Sequence, residues 1–525
     1  MRVGELTTEL NNFRDIRRFI VDTMNNNGAT KRDVVETLLV FEALYNDMLE
    51  RGISKDKSIR VWGTRSFGDL TVSLGFEDEM FVPLEQGDHD HTEGRVMEAY
   101  GDKIEHSYHA GFNTLSIRVT RHVSKVMVYS LIALALALIV YLQMHFMLSS
   151  EMQKNILNQI VYPLERAYTN AVLMVGAPVT FFSLLRNLTN AYILAEKDSG
   201  MRKLQVGTLV TSVISALIAL VAGVIIGLII GGNGVVWTLS LADANSTPAE
   251  MIESLFPSSI FTPFETLFPV PLIMLALLTT YAFCHAGKYF DGIRRVVDAC
   301  YNLFGRMLSV IVYTIPFFFF LAMLDVMLDG GVIWVVFIIV LMFVAFLSIA
   351  IVAAFYVIRL KLSGAEVMPM IRKMGPLLKE NLVINSAIDA VPFNIRYCTV
   401  NFGMDRKRLE QKLPMLAQLN LDGNCFMLML ITMMFIQLTG LSVSWFDILV
   451  LVALVVFLSM GAPNQPGSML IGMLIIINYL KAFDMIAVAI YCEVFFGSII
   501  NLINVEGDIV SIAVEEANEK KTKKQ

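Results

Sequence analysis

The chain has 525 residues, of which 55% are apolar and 17% charged, and its mean hydropathy is +0.61. Soluble domains carry about 25% charged residues, so the composition excludes a soluble enzyme for the bulk of the chain and points to a bilayer protein. The net charge of −6 says little because the charges are unevenly placed.

No signal-peptide pattern opens the chain. Residues 1–120 are mixed and polar, with Arg14, Asp15, Arg17 and Arg18 near the start, and predict a small cytoplasmic α/β domain. Helical periods cover 6–25 and 31–51, and strand-like runs cover 58–63, 70–76 and 114–119. His89, His91, His106 and His109 lie near acids, but their spacing matches no usual metal motif and predicts a solvated loop. The membrane domain is expected over 121–513, followed by a basic cytoplasmic tail over 514–525.

Eight apolar spans follow in order: 126–148, 171–194, 206–230, a proline-broken stretch 260–284, 303–327, 332–358, 413–438 and 486–513. Two further segments are too polar or broken to be simple spans. One is 379–402, with Asn381, Asn385, Asp389, Pro392, Asn394 and Arg396. The other is 446–480, centred on Gly461-Ala462-Pro463-Asn464-Gln465-Pro466-Gly467. Irregular backbone at membrane depth survives only when buried in protein or lining a cavity. Both segments therefore predict re-entrant hairpins, and the hairpin-plus-helix pattern, occurring twice, predicts an inverted repeat.

Basic residues crowd one set of loops: Lys197, Arg202 and Lys203; Lys288, Arg294 and Arg295; Arg359, Lys361, Arg372, Lys373 and Lys379; Arg406, Lys407, Arg408 and Lys412. The opposite segment 231–259 has no Lys or Arg. The positive-inside rule then predicts a multi-pass protein of the cell (inner) membrane with both termini cytoplasmic. The five cysteines, Cys284, Cys300, Cys398, Cys425 and Cys492, make no CxxC pair and read as small buried hydrophobes.

Within 413–438 the run Leu419-Asn420-Leu421-Asp422-Gly423-Asn424 sets an amide, a carboxylate and a glycine into apolar surroundings. A carboxylate at bilayer depth costs about 2.5–3.5 kcal/mol on insertion scales, and marks an ion or solute path. Gly423 is expected to let the helix unwind there and free carbonyls for a cation.

The C-terminal 400 or so residues resemble the glutamate-transporter-like family of sodium:dicarboxylate symporters. Asn420-Leu421-Asp422-Gly423-Asn424 resembles that family's Asn-Met-Asp-Gly-Thr, and Asn504-Val505-Glu506-Gly507-Asp508 resembles its Asn-Val-x-Gly-Asp. Ser459-Met460-Gly461 with Pro466-Gly467 resembles its second hairpin tip, Thr211-Ser212 a Thr-Ser pair of its third span, and Val312-Tyr313-Thr314-Ile315-Pro316 its fifth span. The resemblance implies an elevator-type symporter fold of eight transmembrane helices and two hairpins, assembled as a homotrimer. It also implies that Asn420, Asn504 and Asp508 build one sodium site, and that Asp422, Thr211, Ser212 and Asn420 build a deeper one. Carboxylate, amide and hydroxyl oxygens suit a hard cation. The Thr211 and Ser212 hydroxyls equally suit bonds to the preceding turn.

The departures concern the solute. The family's carboxylate-clamping arginine falls at Ile500, its amine-binding aspartate at Gly497, and the threonine after the motif glycine at Asn424. A guanidinium is the bidentate partner of a carboxylate and isoleucine cannot replace it, which argues against glutamate and aspartate. Ser386, Asp389, Asn424, Gly461, Asn464 and Gln465 are the candidate pocket residues, with Asp389 and Glu493 as sites for an ammonium or a proton. Asp389 also suits a capping role at a hairpin tip, and Asn501 either a pocket amide or an interhelical hydrogen bond. The expected partners are thus a small neutral or cationic organic solute, sodium (or a proton) and the lipid bilayer, with no nucleic acid and no other cofactor.

In the N-terminal domain, Phe41-Glu42-Ala43-Leu44-Tyr45-Asn46-Asp47 resembles the Glu-x-x-x-Asn helix of histidine-kinase-like ATPase domains of the anti-sigma-factor kind. That resemblance makes Glu42 and Asn46 the nucleotide-side candidates. The Asp-x-Gly-x-Gly box is replaced by Gly75-Phe76-Glu77-Asp78-Glu79, and Gly111-Phe112-Asn113 could be a remnant of the later glycine-rich element. This favours a degenerate regulatory domain over an ATP-dependent enzyme. A transporter-like solute sensor signalling through this domain is the alternative reading of the whole chain.

Overall fold

The structure, a computed structural model, describes residues 2–50, 52–66, 69–79, 104–109, 111–119, 125–197, 199–229, 237–238, 247–265, 269–330, 332–365, 367–384, 387–463, 467–482 and 485–522. The chain divides into two units, Met1–Ser124 with Ile388–Pro414, and Lys125–Ala387 with Met415–Gln525.

The N-terminal region is built from β1 (Arg2–Glu9), α1 (Phe13–Asn26), α2 (Lys31–Glu50), β2 (Ser58–Ser66), β3 (Asp69–Glu77), β4 (Ile104–His109) and β5 (Phe112–Val119). The strands form one antiparallel sheet in the order β1-β2-β3-β5-β4. Alternate residues along the strands, Ile59 and Val61, Val72, Leu74 and Phe76, Leu115 and Ile117, are buried with Ile16, Ile20 and Met24 of α1 and Phe41, Leu44 and Met48 of α2. Period 2 on the sheet thus meets near-period 4 on the helices in one core.

Two expectations need correction here. Residues 6–9, read as the start of a helix, belong to β1, because pairing with β2 at the sheet edge overrides a weak helical pattern. His106 and His109 fall on strand β4 rather than in a loop, while His89 and His91 lie outside the described residues.

The membrane unit opens with α3 (Lys125–Met147), whose Val128, Leu131, Ile132 and Leu136 are exposed, as befits a helix facing lipid. Next come α4 (Tyr162–Lys197), entered through a π turn at Leu157–Val161, then α5 (Ser199–Ile229) and α6 (Pro269–Cys284). The expected span 303–327 is two helices, α7 (Phe290–Tyr313) and α8 (Ile315–Gly330). Thr314 ends the first, and Pro316, which has no N–H to donate, sits in the first turn of the second.

Then follow α9 (Val332–Ser363), α10 (Val367–Ile384), α11 (Ala387–Tyr397), α12 (Arg406–Leu419), α13 (Asp422–Thr439), α14 (Trp445–Met460), α15 (Ser468–Leu480) and α16 (Ile486–Thr522). Arg359 and Lys361, read as loop charges, lie in the last turns of α9.

Among the described residues seven helices are long and apolar enough to cross a membrane, against the eight spans expected. The expected span without a match is 260–284, where α6 has 16 residues; α8, α14 and α15 are likewise shorter than a span. For α14 and α15, the Tyr479 hydroxyl donates to Asp447 at 2.9 Å, bringing the end of α15 to the start of α14. Ser444 and Asp447 also form a reciprocal cap at that start. The pair therefore runs out and back between residues 445 and 480.

Helix α5 packs along α13 through Gly223 and Gly227, a small-xxx-small spacing that allows close backbone approach. A Cβ at Gly223 would lie 2.7 Å from Met433 Cβ and 2.9 Å from the Leu430 carbonyl oxygen. Gly223→Leu is expected to destabilise the protein by about 1–3 kcal/mol through overpacking, read as a lower melting midpoint. An unchanged midpoint would show that α5 and α13 are not in this contact.

Candidate functional site

The polypeptide breaks between α12 and α13. Asn420 N donates to Leu416 O at 2.7 Å and closes the first helix; Leu421, with φ −99° and ψ 53°, stands outside helical geometry; Cys425 N then donates to Leu421 O and opens the second. The break thus falls at Asn420 and Leu421. Gly423, expected to unwind the helix, lies inside α13 and serves a different need. A Cβ there would strike the Ile500 carbonyl oxygen and come within 2.8 Å of Asn504 Oδ1, so glycine lets α13 touch α16. Every residue from Asn420 to Gln437 is buried.

Asp422 is the first residue of α13, fully buried at the positive end of the helix dipole. Ser212 Oγ of α5 donates to its Oδ1 at 2.8 Å, and the Tyr356 hydroxyl of α9 donates to its Oδ2 at 3.1 Å. Arg359, one turn on from Tyr356, places its guanidinium 5.9 Å from the Tyr356 ring centroid, donates to Ser511 Oγ at 3.3 Å and supplies positive potential to Asp422. Thr211 Oγ1 donates to Thr208 O at 2.8 Å, the bond to the preceding turn that its position allowed.

On α16, Asp508 is buried and its Oδ1 accepts from Asn420 Nδ2 at 2.9 Å. Asn420 Oδ1, equally buried, has no hydrogen-bond partner among the described residues. An orphaned buried amide oxygen is costly unless a donor or a positive charge takes it up. Asn504 spends its side chain as a cross-tie: its Oδ1 accepts from Gly423 N at 2.7 Å and its Nδ2 donates to Asn424 Oδ1 at 3.1 Å. Among the described residues no group of three or more His, Cys, Asp or Glu side chains is arranged to hold a metal ion. The oxygens gathered here are carboxylate, amide and hydroxyl, the donor set of a hard cation rather than of a transition metal.

A second locus lies at the turn between α14 and α15. Ser183 Oγ and Asn187 Nδ2 of α4 donate to the carbonyls of Ala462 and Met460 at 3.2 and 2.8 Å, satisfying the end of α14. Glu493 of α16 accepts from Gly467 N at 2.6 Å and from Leu470 N at 3.0 Å, and so caps the start of α15. Gly461 closes α14, and a Cβ there would lie 3.2 Å from Thr180 Cγ2.

The structure brings Asn420, Asp422, Asn424, Asn504, Asp508 and Ser212 together, with Thr211 alongside. It sets Gly461 and Glu493 at the α14–α15 turn and buries Asn501 on α16. Ser386, Asn464 and Gln465 lie outside the described residues, as does the side chain of Asp389, which falls in α11. Tyr356, Ser183 and Asn187 escaped the sequence reading, and Arg359 was read only as a loop charge. Their signal was weak: a tyrosine, an arginine, a serine and an asparagine in long apolar helices, none within a contiguous motif.

In the N-terminal region Glu42 and Asn46 are half-buried on α2. The glycine-box candidate is the end of strand β3. Gly75 leaves room for the Phe112 and Trp62 rings, and Gly111 turns the chain between β4 and β5 at φ +87°. Lys57 donates to Asp78 at 2.7 Å, and this bond holds the Asp78 carboxyl below its ordinary range against the opposing effect of burial.

No curated protein matches the chain closely enough to count as a relative. Residues 126–516 match the sodium:dicarboxylate symporter family, covering every element of both loci. The chain therefore belongs to the sodium:dicarboxylate symporter family.

Proposed function

We propose that the protein is a sodium-coupled symporter of a small organic solute other than glutamate or aspartate, working as a homotrimer by an elevator motion. Asp422, Asn420, Asp508 and Ser212 supply side-chain oxygens to sodium, with Thr211 beside them, and Asn504 contributes by fixing the two strands of the site. The observation that carries this reading is the buried, unpartnered Asn420 Oδ1, on a side chain whose Nδ2 donates to Asp508 and which stands two positions before Asp422. A monovalent cation would satisfy that oxygen and offset the carboxylates in a medium where neither is cheap alone.

The solute class follows from Ile500 and Gly497, which offer no charge to a dicarboxylate. Ser386, Asp389, Asn464, Gln465 and Asn501 are the further pocket candidates, with 379–402 and 446–480 as re-entrant hairpins. The loop charges support an inner-membrane protein with both termini in the cytoplasm. A sodium gradient across proteoliposomes should drive uptake of a solute from a neutral and cationic panel. If no gradient drives any flux while a solute still binds, the sensor reading takes over.

For residues 1–120 the proposed role is regulation by a degenerate ATPase-like domain. The helix bearing Glu42 and Asn46, packed on an antiparallel sheet, supports the likeness, while the strand-bound Gly75 and the Lys57-committed Asp78 speak against a working nucleotide site. Full-length protein is expected to retain no ATP on gel filtration with magnesium. Retention that Asn46→Ala abolishes would overturn this.

A further inference from the structure

The first turn of a helix leaves its N–H groups without partners inside the helix and carries the positive end of the dipole, which together favour an anion. At α15 this position is already taken. The Glu493 carboxylate, reaching from α16, accepts from Gly467 N at 2.6 Å and Leu470 N at 3.0 Å, one oxygen to each. Gly467, at φ +105°, offers its N–H to Glu493, and a Cβ there would lie 2.8 Å from Val312 Cγ2 of α7.

Tyr168 of α4 lies within electrostatic range of the same carboxylate. Its ring stacks on Phe318 with centroids 4.0 Å apart. Its side chain is 97% buried by its 3% exposure, and its hydroxyl has no hydrogen-bond partner among the described residues. A buried hydroxyl without a partner invites a polar group to supply one. A hydroxyl, an amide or an ammonium can do so; a second carboxylate would meet Glu493 as a like charge.

We propose that Glu493 is a specificity-determining residue: its carboxylate, seated on the N–H groups of Gly467 and Leu470, fills the place a solute carboxylate would take at the start of α15 and confines the solute to neutral or cationic compounds. This rests on the transporter reading above and sharpens its solute class. It also makes Glu493 a positioning residue for the α14–α15 turn, because the same two bonds tie that turn to α16.

The test separates a filled anion position from a merely structural side chain. Full-length wild type, Glu493→Ala and Glu493→Gln are unfolded thermally at fixed ionic strength in chloride, acetate, formate and acetamide. Wild type should be indifferent to all four. Glu493→Ala should melt lower in chloride and be restored, saturably and at millimolar concentration, by acetate or formate but not by neutral acetamide. In Glu493→Gln, amide hydrogen exchange should quicken selectively at 467–470. If the alanine variant does not purify, this exchange decides alone.

Restoration by acetamide, no restoration by any carboxylate, stabilisation of wild type by acetate, or unchanged exchange in Glu493→Gln would each overturn the proposal. None of these readings needs sodium, so failure of the coupling proposal is seen separately.

Discussion

Asp422→Asn is expected to remove the response of the protein to sodium while leaving it folded. A ligand held at 100 times its dissociation constant stabilises by about 2.7 kcal/mol, and that whole increment should vanish in the variant. The substitution is nearly isosteric. The new amide oxygen can still accept from Ser212, now 2.8 Å from Oδ1, and the new amide nitrogen can donate to the Tyr356 oxygen, with the Tyr356 hydroxyl turning toward the Ile503 carbonyl already 3.5 Å away. Only the charge is lost.

In potassium the variant should be as stable as wild type or more so, since a buried carboxylate with imperfect compensation is a burden on the folded state. The measurement is the melting midpoint of wild type and variant against sodium, potassium and pH. A sodium-specific rise in wild type that disappears in the variant supports the ion site. A rise that persists in the variant rejects Asp422 as a ligand. A response to pH alone moves the coupling ion to the proton.

How much of this was legible in the sequence depends on where the information lies. The two five-residue motifs showed themselves because each packs several polar groups into an apolar run. The structure joins them through Asn420 to Asp508 and Asn504 to Gly423, bonds between residues more than 80 positions apart. In 446–480 the central glycines and prolines marked a break in the apolar run, and the helices on its two sides meet through Asp447 and Tyr479.

The break inside 303–327 was not legible, because hydropathy averages across Thr314 and Pro316, where the backbone ends one helix and starts another. Tyr356 was missed, and Arg359 read only as a loop charge, for a related reason. A single polar side chain in a 32-residue apolar helix has no local signature, and only packing brings it against Asp422. Gly423 was noticed but misassigned, since sequence shows that a glycine is present and not whether it loosens its own helix or admits a neighbour.

The glycines therefore offer the sharpest test of the packing. In a helix, Gly→Ala is worth about 1 kcal/mol in favour of alanine, so a destabilising outcome has to come from contact. At Gly423 the new Cβ strikes the Ile500 carbonyl oxygen, a backbone atom that no rotamer change can move. Gly423→Ala should cost about 3 kcal/mol net, with a large fall in melting midpoint and in yield.

At Gly507 the new Cβ strikes the Tyr356 hydroxyl, the end of a side chain that can give way. Gly507→Ala should therefore fold, but with Tyr356 displaced from Asp422, and its apparent sodium affinity should drop about tenfold, or about 1.4 kcal/mol. Adding Tyr356→Phe removes the atom struck. The double variant should melt higher than the sum of the two single effects predicts, because the clash and the lost hydroxyl are one event. Additive effects would mean that Gly507 and Tyr356 do not touch. The hydrogen bond from Tyr356 to Asp422 would then no longer be a reason to place α9 in the ion site.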